Sequence, residues 1–317
     1  MNGNNESAAP KKLIMIPYAE LTGYQTGANV KRVKDRVDMY MKNCSVACIS
    51  ARSVSDDDTD VMLVSNVDIV EPYKTLLQEK GIIIRNVPFD CFDFGSNYTW
   101  SLAFYKLCAL RAMVNEGGYS YYAYFDADVY FQNDISDVWK ECVENVMLYD
   151  INHGLQVEDY RVFLDEIELF LGARKHITHY GGEFFAASAE LAEKFSQRCY
   201  EIYVVMQEKG IITTRGDEYI ISLAADSMKV TVKNAGAYVY RFWSGIGFRL
   251  MSTCYKYNAV SVLHVPAEKT HGMIRIYDNY IGKSKIPSRN QVYKAFHFNH
   301  MSWSSYAKGV IKKCLRK

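Results

Sequence analysis

The chain is expected to fold as an α/β protein with a mostly parallel, Rossmann-like sheet. Three observations lead there. Short apolar runs alternate with amphipathic segments from residue 11 to about residue 145, glycines stop the helical segments, and neither an internal repeat nor a low-complexity linker divides the chain. A sheet of this kind carries helices on both faces and binds ligands outside the carboxyl ends of its strands.

The elements follow in order. Lys12–Tyr18 (KLIMIPY) is an apolar run that suits a buried strand. Gly23 and Gly27 punctuate the next loop. Residues 29–43 then place Val30, Val33, Val37 and Met41 at helical spacing, with Lys31, Arg32, Lys34 and Asp35 off the apolar stripe. Residues 46–50 suit a second strand. The acidic cluster Asp56, Asp57, Asp58 and Asp60 reads as a solvated loop before a strand at residues 61–65. A helix over residues 71–80 has Pro72 in its first turn and Gly81 as its stop, and a strand follows at residues 82–87. In residues 99–115, Leu102, Leu107, Leu110 and Met113 predict a helix closed by Gly117 and Gly118. Tyr121–Phe125 (YYAYF) is a strand, Val129–Phe131 another, and residues 135–143 begin a helix.

The second half is less regular. Helices are expected over residues 160–171 and 189–210, with a loop leading into another over 215–225. Strands are expected at Tyr180–Ser188 and at residues 230–233, 238–242 and 260–265. One compact domain with an elaborated C-terminal half accommodates this pattern.

Bulk properties exclude some functions. With 317 residues, 49% of them hydrophobic and 23% charged, the chain can bury a sizeable core. A net charge of +1 gives no electrostatic footprint for nucleic acid. Aromatics reach 14%, with 25 Tyr against 15 Phe; Tyr suits both strands and stacking on bases or sugars. The eight cysteines are scattered, and only Cys44 and Cys48 are close, at a spacing that is not a zinc motif by itself. Without a signal peptide or a run of about 18 apolar residues, the expectation is reduced thiols and a cytoplasmic location.

The strongest chemical signal is Asp126-Ala127-Asp128, set between the apolar runs YYAYF and VYF. Two carboxylates this close repel each other when buried, and a divalent cation removes the conflict. Hard cations such as Mn²⁺ and Mg²⁺ take carboxylate oxygens and keep places for diphosphate oxygens. Ala127 is small enough to let a nucleotide approach the backbone.

The stretch YYAYFDADVYFQNDISDVW resembles the GT-A glycosyltransferases, and most of all glycosyltransferase family 8. The resemblance spans residues 11 to about 275. It implies a GT-A fold, a nucleoside-diphosphate sugar donor (usually a UDP-sugar), Mn²⁺ or Mg²⁺ as cofactor, and transfer with retention at the anomeric carbon. It further implies a basic residue on the helix before the Asp-x-Asp strand, here Lys106, and a metal-ligating His followed by a diphosphate-holding Lys, here His264 and Lys269. The spacing to Lys269 is one residue short of the family's and no Pro-Trp follows, so His271 competes with His264. Gly181-Gly182 stands where the family has Asn-x-Gly, beside the donor or acceptor sugar; Glu183 follows it. Asp217-Glu218 stands where the family has Asp-Gln near the reacting carbon, although Asp217 also suits a helix cap. Asp217 and Glu218 are the candidate catalytic carboxylates, with Glu183 as rival. Tyr18 and Glu20, after the first strand, are placed to meet a base and a ribose, with Asn66 and Asp68 as weaker candidates.

The domain reading is a leader at 1–10, one GT-A catalytic domain at 11–300 and a basic amphipathic tail at 301–317. The domain comprises a nucleotide-binding half at 11–145 and an acceptor half at 146–300. In the tail, Lys308, Lys312, Lys313, Arg316 and Lys317 interleave with Trp303, Tyr306, Val310, Ile311 and Leu315, a pattern suited to peripheral contact with the inner membrane face or to a solvated tail. The expected partners are the sugar nucleotide and a glycan or lipid-linked glycan acceptor. A metal-dependent nucleotidyltransferase, or a non-catalytic nucleotide-sugar or carbohydrate-binding protein, would use the same carboxylates.

Overall fold

Strand residues of this chain alternate between two hydrophobic clusters, and that alternation builds the molecule. The computed structural model describes residues 11–24, 36–151, 157–242 and 259–298, together with 307 and 311. The leader at 1–10, the expected start of the first helix, Cys254, Cys314 and the rest of the tail at 301–317 lie outside the described residues.

The main sheet has seven strands: β1 (Lys12–Tyr18), β2 (Thr59–Ser65), β3 (Ile83–Asn86), β4 (Tyr121–Phe125), β6 (Asn145–Asp150), β7 (Tyr180–Ser188) and β8 (Thr231–Asn234). Their spatial order is β3-β2-β1-β4-β7-β6-β8. The β3-β2-β1-β4 half is parallel, β7 runs antiparallel to both β4 and β6, and β8 is parallel to β6. A second sheet of three short strands has the order β5-β10-β9, with β5 at Val129–Phe131, β9 at Val239–Arg241 and β10 at Val262–His264.

Ile14, Ile16, Val61, Leu63, Ala123, Phe125, Phe184 and Ala186 point to one face of the main sheet. Leu13, Met15, Met62, Val64, Tyr122, Tyr124, Phe185 and Ala187 point to the other. Side chains of a strand alternate with period two, so a strand covered on both faces reads as one apolar run. Helices α1 (Arg36–Val54), α2 (Tyr73–Glu79), α4 (Ser136–Glu141), α8 (Gly272–Asn279) and α9 (Arg289–Ala295) bury residues in the first cluster. Helices α3 (Tyr105–Glu116), α5 (Val157–Leu171), α6 (Ala189–Lys209) and α7 (Asp217–Ser227) do so in the second. The fold is therefore α/β, with a mostly parallel sheet and helices on both faces. No helix among the described residues is long and apolar enough to cross a membrane.

Several elements differ from the sequence expectation. Residues 46–50 are not a strand; α1 runs through them to Val54. That helix packs against β2, β5 and α8, and Cys44, Val46, Ala47, Cys48, Ile49 and Ala51 are all buried. A helix surrounded by protein loses its polar stripe, so its apolar run mimics a strand. Strand β6 (NVMLYD) escaped notice because it follows α4 without a glycine or proline between them. The helix expected from residue 99 opens as a 3₁₀ turn, Ser101–Phe104, before α3 begins. The expected halves on either side of residue 145 share one sheet through the β4–β7 pairing.

The centre of the second cluster is aromatic. Phe185 is fully buried, stacked between Tyr124 at 5.5 Å and Phe195 at 4.6 Å. Phe185→Ala should cost about 3–5 kcal/mol, read as a lower urea midpoint at unchanged slope. A loss below about 1 kcal/mol would contradict this account of the core.

Candidate metal centre

The chain order reverses between β1 and β4. From β1 the chain moves to β2 on one side, then returns to place β4 on the other. The parallel register sets Met15 opposite Tyr124, so the carboxyl ends of both strands open on the same edge. That crevice is where open α/β sheets bind ligands. A cleft of about 370 Å³ lies there. Pro17, Tyr18 and Ala19 line it from β1, Asp126, Ala127 and Asp128 from β4, and Gly182 and Glu183 from β7. Asp217 and Glu218 enter from the start of α7, and Arg241, His264 and Lys269 come from the small sheet and the segment after it.

Backbone pairing holds the acidic pair. The Asp126 amide donates to the Glu183 carbonyl at 3.0 Å, continuing the β4–β7 ladder one residue past Phe125. The Asp128 carbonyl accepts from the Val265 amide at 3.0 Å, continuing the β5–β10 pairing in which Val129 faces His264. Asp126 is thus tied to the main sheet and Asp128 to the small one, with Ala127 between them.

One donor atom each from Asp126, Asp128 and His264 lies within 4.8 Å of the others. His264 Nε2 is 3.4 Å from Asp128 Oδ2 and 3.8 Å from Asp126 Oδ2. Its Nδ1 faces Glu183 Oε1 at 3.5 Å, an orientation that leaves Nε2 turned toward the acidic pair. Asp128 is buried, yet neither of its oxygens accepts a well-aligned hydrogen bond. Lys269 Nζ, 3.3 Å away, supplies charge without that alignment. A buried carboxylate with two unsatisfied oxygens, beside a second carboxylate and an imidazole, fits a divalent cation.

The charges compensate in the metal-free protein. Burial alone would raise the Asp128 pKa, but Lys269 and then His264 outweigh it and hold the carboxyl below its usual range. Burial disfavours the charged form of His264, but Asp128 and Glu183 push its pKa up to about 9. Lys106 is buried too, and Asp126 and Asp217 keep it charged. Its Nζ lies 2.6 Å from Asp126 Oδ1 and 3.1 Å from Asp217 Oδ2, and donates to the Gly182 carbonyl at 2.9 Å.

A second ion-pair group sits beside the first. Arg241 grips Glu183 with two hydrogen bonds, Nε to Oε1 at 2.7 Å and Nη2 to Oε2 at 2.6 Å, and reaches Glu218 Oε1 at 3.3 Å. Burial would raise Glu183, but Arg241 holds it below the ordinary carboxylate range. His179 Nε2 lies 3.2 Å from Glu218 Oε2, with its ring stacked on Phe163 at 4.1 Å.

The structure brings Tyr18, Lys106, Asp126, Asp128, Gly182, Glu183, Asp217, Glu218, His264 and Lys269 into one cleft. Glu20 and Asp68 do not line it. Glu20 accepts from the Tyr18 hydroxyl and exchanges backbone hydrogen bonds with the Asn66 side chain, clasping the loops after β1 and β2; Asp68 is exposed. His271 is also exposed, so His264 is the histidine beside the acidic pair. The two glycines serve protein packing. A Cβ on Gly182 would meet Asp217 Oδ2 at 1.9 Å, and one on Gly181 would meet Glu183 Oε2 at 1.8 Å.

Arg241, Tyr40 and Trp100 also line the cleft and His179 meets Glu218, none of them a residue the sequence expectation singles out. Of these, only Arg241, a basic residue ending an apolar run, carried a local signal. No protein-family model matches the chain, and no curated protein matches it in sequence.

Asp217 gives the site a pH signature. Burial raises its carboxyl, and the charges of Asp126 and Glu218 add to this, so the pKa reaches about 6 despite Lys106. A folded pKa above the ordinary 3.8 means that its stabilising contribution is complete below pH 3.8 and is lost as pH rises through 6. In the metal-free protein, the unfolding free energy of wild type relative to Asp217→Asn should fall by about 2 kcal/mol between pH 4 and pH 8. Urea titrations at a series of pH values measure it; a pH-independent difference would contradict the assignment.

Proposed function

We propose that this protein is a metal-dependent glycosyltransferase that moves a sugar from a nucleoside-diphosphate sugar of the UDP-sugar type to a glycan or glycolipid hydroxyl with retention. The observation that carries the reading is the Asp126–Asp128–His264 group beside Lys269, in the cleft at the β1/β4 crevice. The likeness of the segment around Asp126 to glycosyltransferase family 8 supports the same reading.

Asp126, Asp128 and His264 would hold Mn²⁺ or Mg²⁺. The cation would supply Lewis-acid stabilisation of the departing diphosphate. Lys269 sets a fixed ammonium on the same side, where it offsets growing negative charge. Tyr18 and Tyr40, with ring centroids 6.0 Å apart, offer flat faces at the β1 edge of the cleft for the base. Glu183 has both oxygens engaged by Arg241, which favours a positioning role for it. Glu218 is the more exposed of the two carboxylates at the start of α7, and we assign it to the anomeric carbon. A carboxylate there stabilises the oxocarbenium-like transition state. Asp217 positions Lys106 against Asp126. The basic, amphipathic composition of residues 301–317 supports contact with an anionic membrane face, which suits a lipid-linked acceptor.

The test is release of nucleoside diphosphate from a panel of UDP- and GDP-sugars. Turnover should require Mn²⁺ or Mg²⁺, stop on chelation and return when metal is restored. Asp128→Asn should lower it by about a hundredfold or more, the equivalent of losing several kcal/mol of transition-state stabilisation, while far-UV circular dichroism stays unchanged. Turnover that survives chelation, or an unaffected variant, would overturn the reading. Sugar 1-phosphate as the released product, with the nucleoside monophosphate passed to the acceptor, would replace it with nucleotidyl transfer.

A further inference from the structure

Cys91 and Cys108 are seventeen residues apart in sequence, yet their sulfurs lie 3.3 Å apart. Cys108 sits on the first turn of α3 and is buried; Cys91 lies in the loop after β3 and is partly exposed. The next residue, Phe92, holds φ at 62°, a left-handed conformation that is strained for a non-glycine residue. Its ring is fully buried against Tyr200 and Tyr203, at 6.1 and 5.1 Å. That anchor fixes the chain direction at Cys91 and aims its thiol at Cys108.

The Cys91 thiol donates to Cys108 Sγ, and Cys108 Sγ also lies 3.3 Å from the Pro88 carbonyl and 3.6 Å from Asp90 Oδ1. The shared hydrogen bond lowers Cys108 below the ordinary thiol range and raises Cys91, so the first proton lost belongs to the pair. The other neighbouring thiols, Cys44 and Cys48 on α1, are fully buried and pushed well up by burial. They lack both access and thiolate character. Among the described residues, Asp90 brings the donors near Cys91 to three, one short of the four protein ligands of a closed zinc site.

We propose that Cys91 and Cys108 form a reversible dithiol–disulfide site that reacts with low-molecular-weight disulfides of the glutathione type. Proton exchange along the shared S–H···S hydrogen bond gives the partly exposed Cys91 its turn as thiolate, and it attacks one sulfur of the small disulfide. A Cys91 mixed disulfide forms and one small thiol leaves. The Cys108 thiolate then attacks Cys91 Sγ, forming the protein disulfide and expelling the second small thiol. Two protein thiols lose two electrons and two protons, and the small disulfide gains both. The product ties the loop after β3 to the helical turn that carries Lys106.

The experiment incubates the full chain in buffers of reduced and oxidised glutathione, quenches with acid and an alkylating agent, and maps peptides by mass spectrometry. The expected result is a linked Cys91–Cys108 peptide lighter by two hydrogens, lost again in excess reduced glutathione, with Cys44 and Cys48 unlinked. Cys108→Ser should stop at the mixed disulfide on Cys91, and Cys91→Ser should leave Cys108 unmodified. Circular dichroism of both variants, together with wild type under the same conditions, separates chemistry from misfolding. A stable glutathione adduct on wild-type Cys91 without the link would overturn the proposal. So would linkage of Cys91 or Cys108 to another cysteine, or a zinc-loaded protein whose pair resists oxidation until chelator is added.

Discussion

Five carboxylates crowd one cleft in this protein, and most of the arrangement around them answers the cost of that crowding. Asp126, Asp128, Glu183, Asp217 and Glu218 would repel one another in a partly buried space without cations among them. Lys106, Arg241, Lys269 and His264 share the cleft and divide the acids among them. Removing one partner from such a pair leaves a buried charge uncompensated, a loss of about 3–5 kcal/mol. Asp128 is the acid with both oxygens left without a hydrogen bond: it has charge beside it but no well-aligned donor. A site of that kind gains most from an added cation.

The fold supplies the convergence. Asp126 and Glu183 are joined through the β4–β7 ladder, Asp128 and His264 through β5–β10, and Arg241 ends β9 beside His264. The three-stranded sheet serves chiefly to set a histidine, an arginine and an aspartate against the open edge of the larger sheet. Asp217 and Glu218 begin α7 with Asp217 packed into the space that Gly182 leaves open. Positions drawn from five separate stretches of the chain are therefore fixed by backbone hydrogen bonds or by the absence of a side chain.

Much of this was legible in the sequence, for identifiable reasons. β1, β4 and β7 are covered on both faces and read as unbroken apolar runs, and Asp126-Ala127-Asp128 follows one of them directly. The same rule fails at α1: a helix buried on all sides also reads as an apolar run, so residues 46–50 look like a strand in sequence. His264 stood out as a polar residue ending a strand, whereas His179 had no pattern around it, since its place depends on stacking against Phe163 from α5. The Arg241–Glu183 pair and the Cys91–Cys108 contact join residues 58 and 17 positions apart, and no local spacing announces either. Gly181-Gly182 was noticed for a different reason from the one the structure gives. The glycines admit the protein's own carboxylates.

The cleft at the β1/β4 crevice is proposed to take a divalent cation on Asp126, Asp128 and His264. X-ray diffraction from crystals grown with Mn²⁺ and a nucleoside diphosphate, collected at the manganese absorption edge, tests it most directly. One anomalous peak is expected within coordination distance of both aspartate carboxylates and His264 Nε2, with diphosphate density between that peak and Lys269. A peak at another group of side chains, or none in the cleft at saturating Mn²⁺, would contradict it.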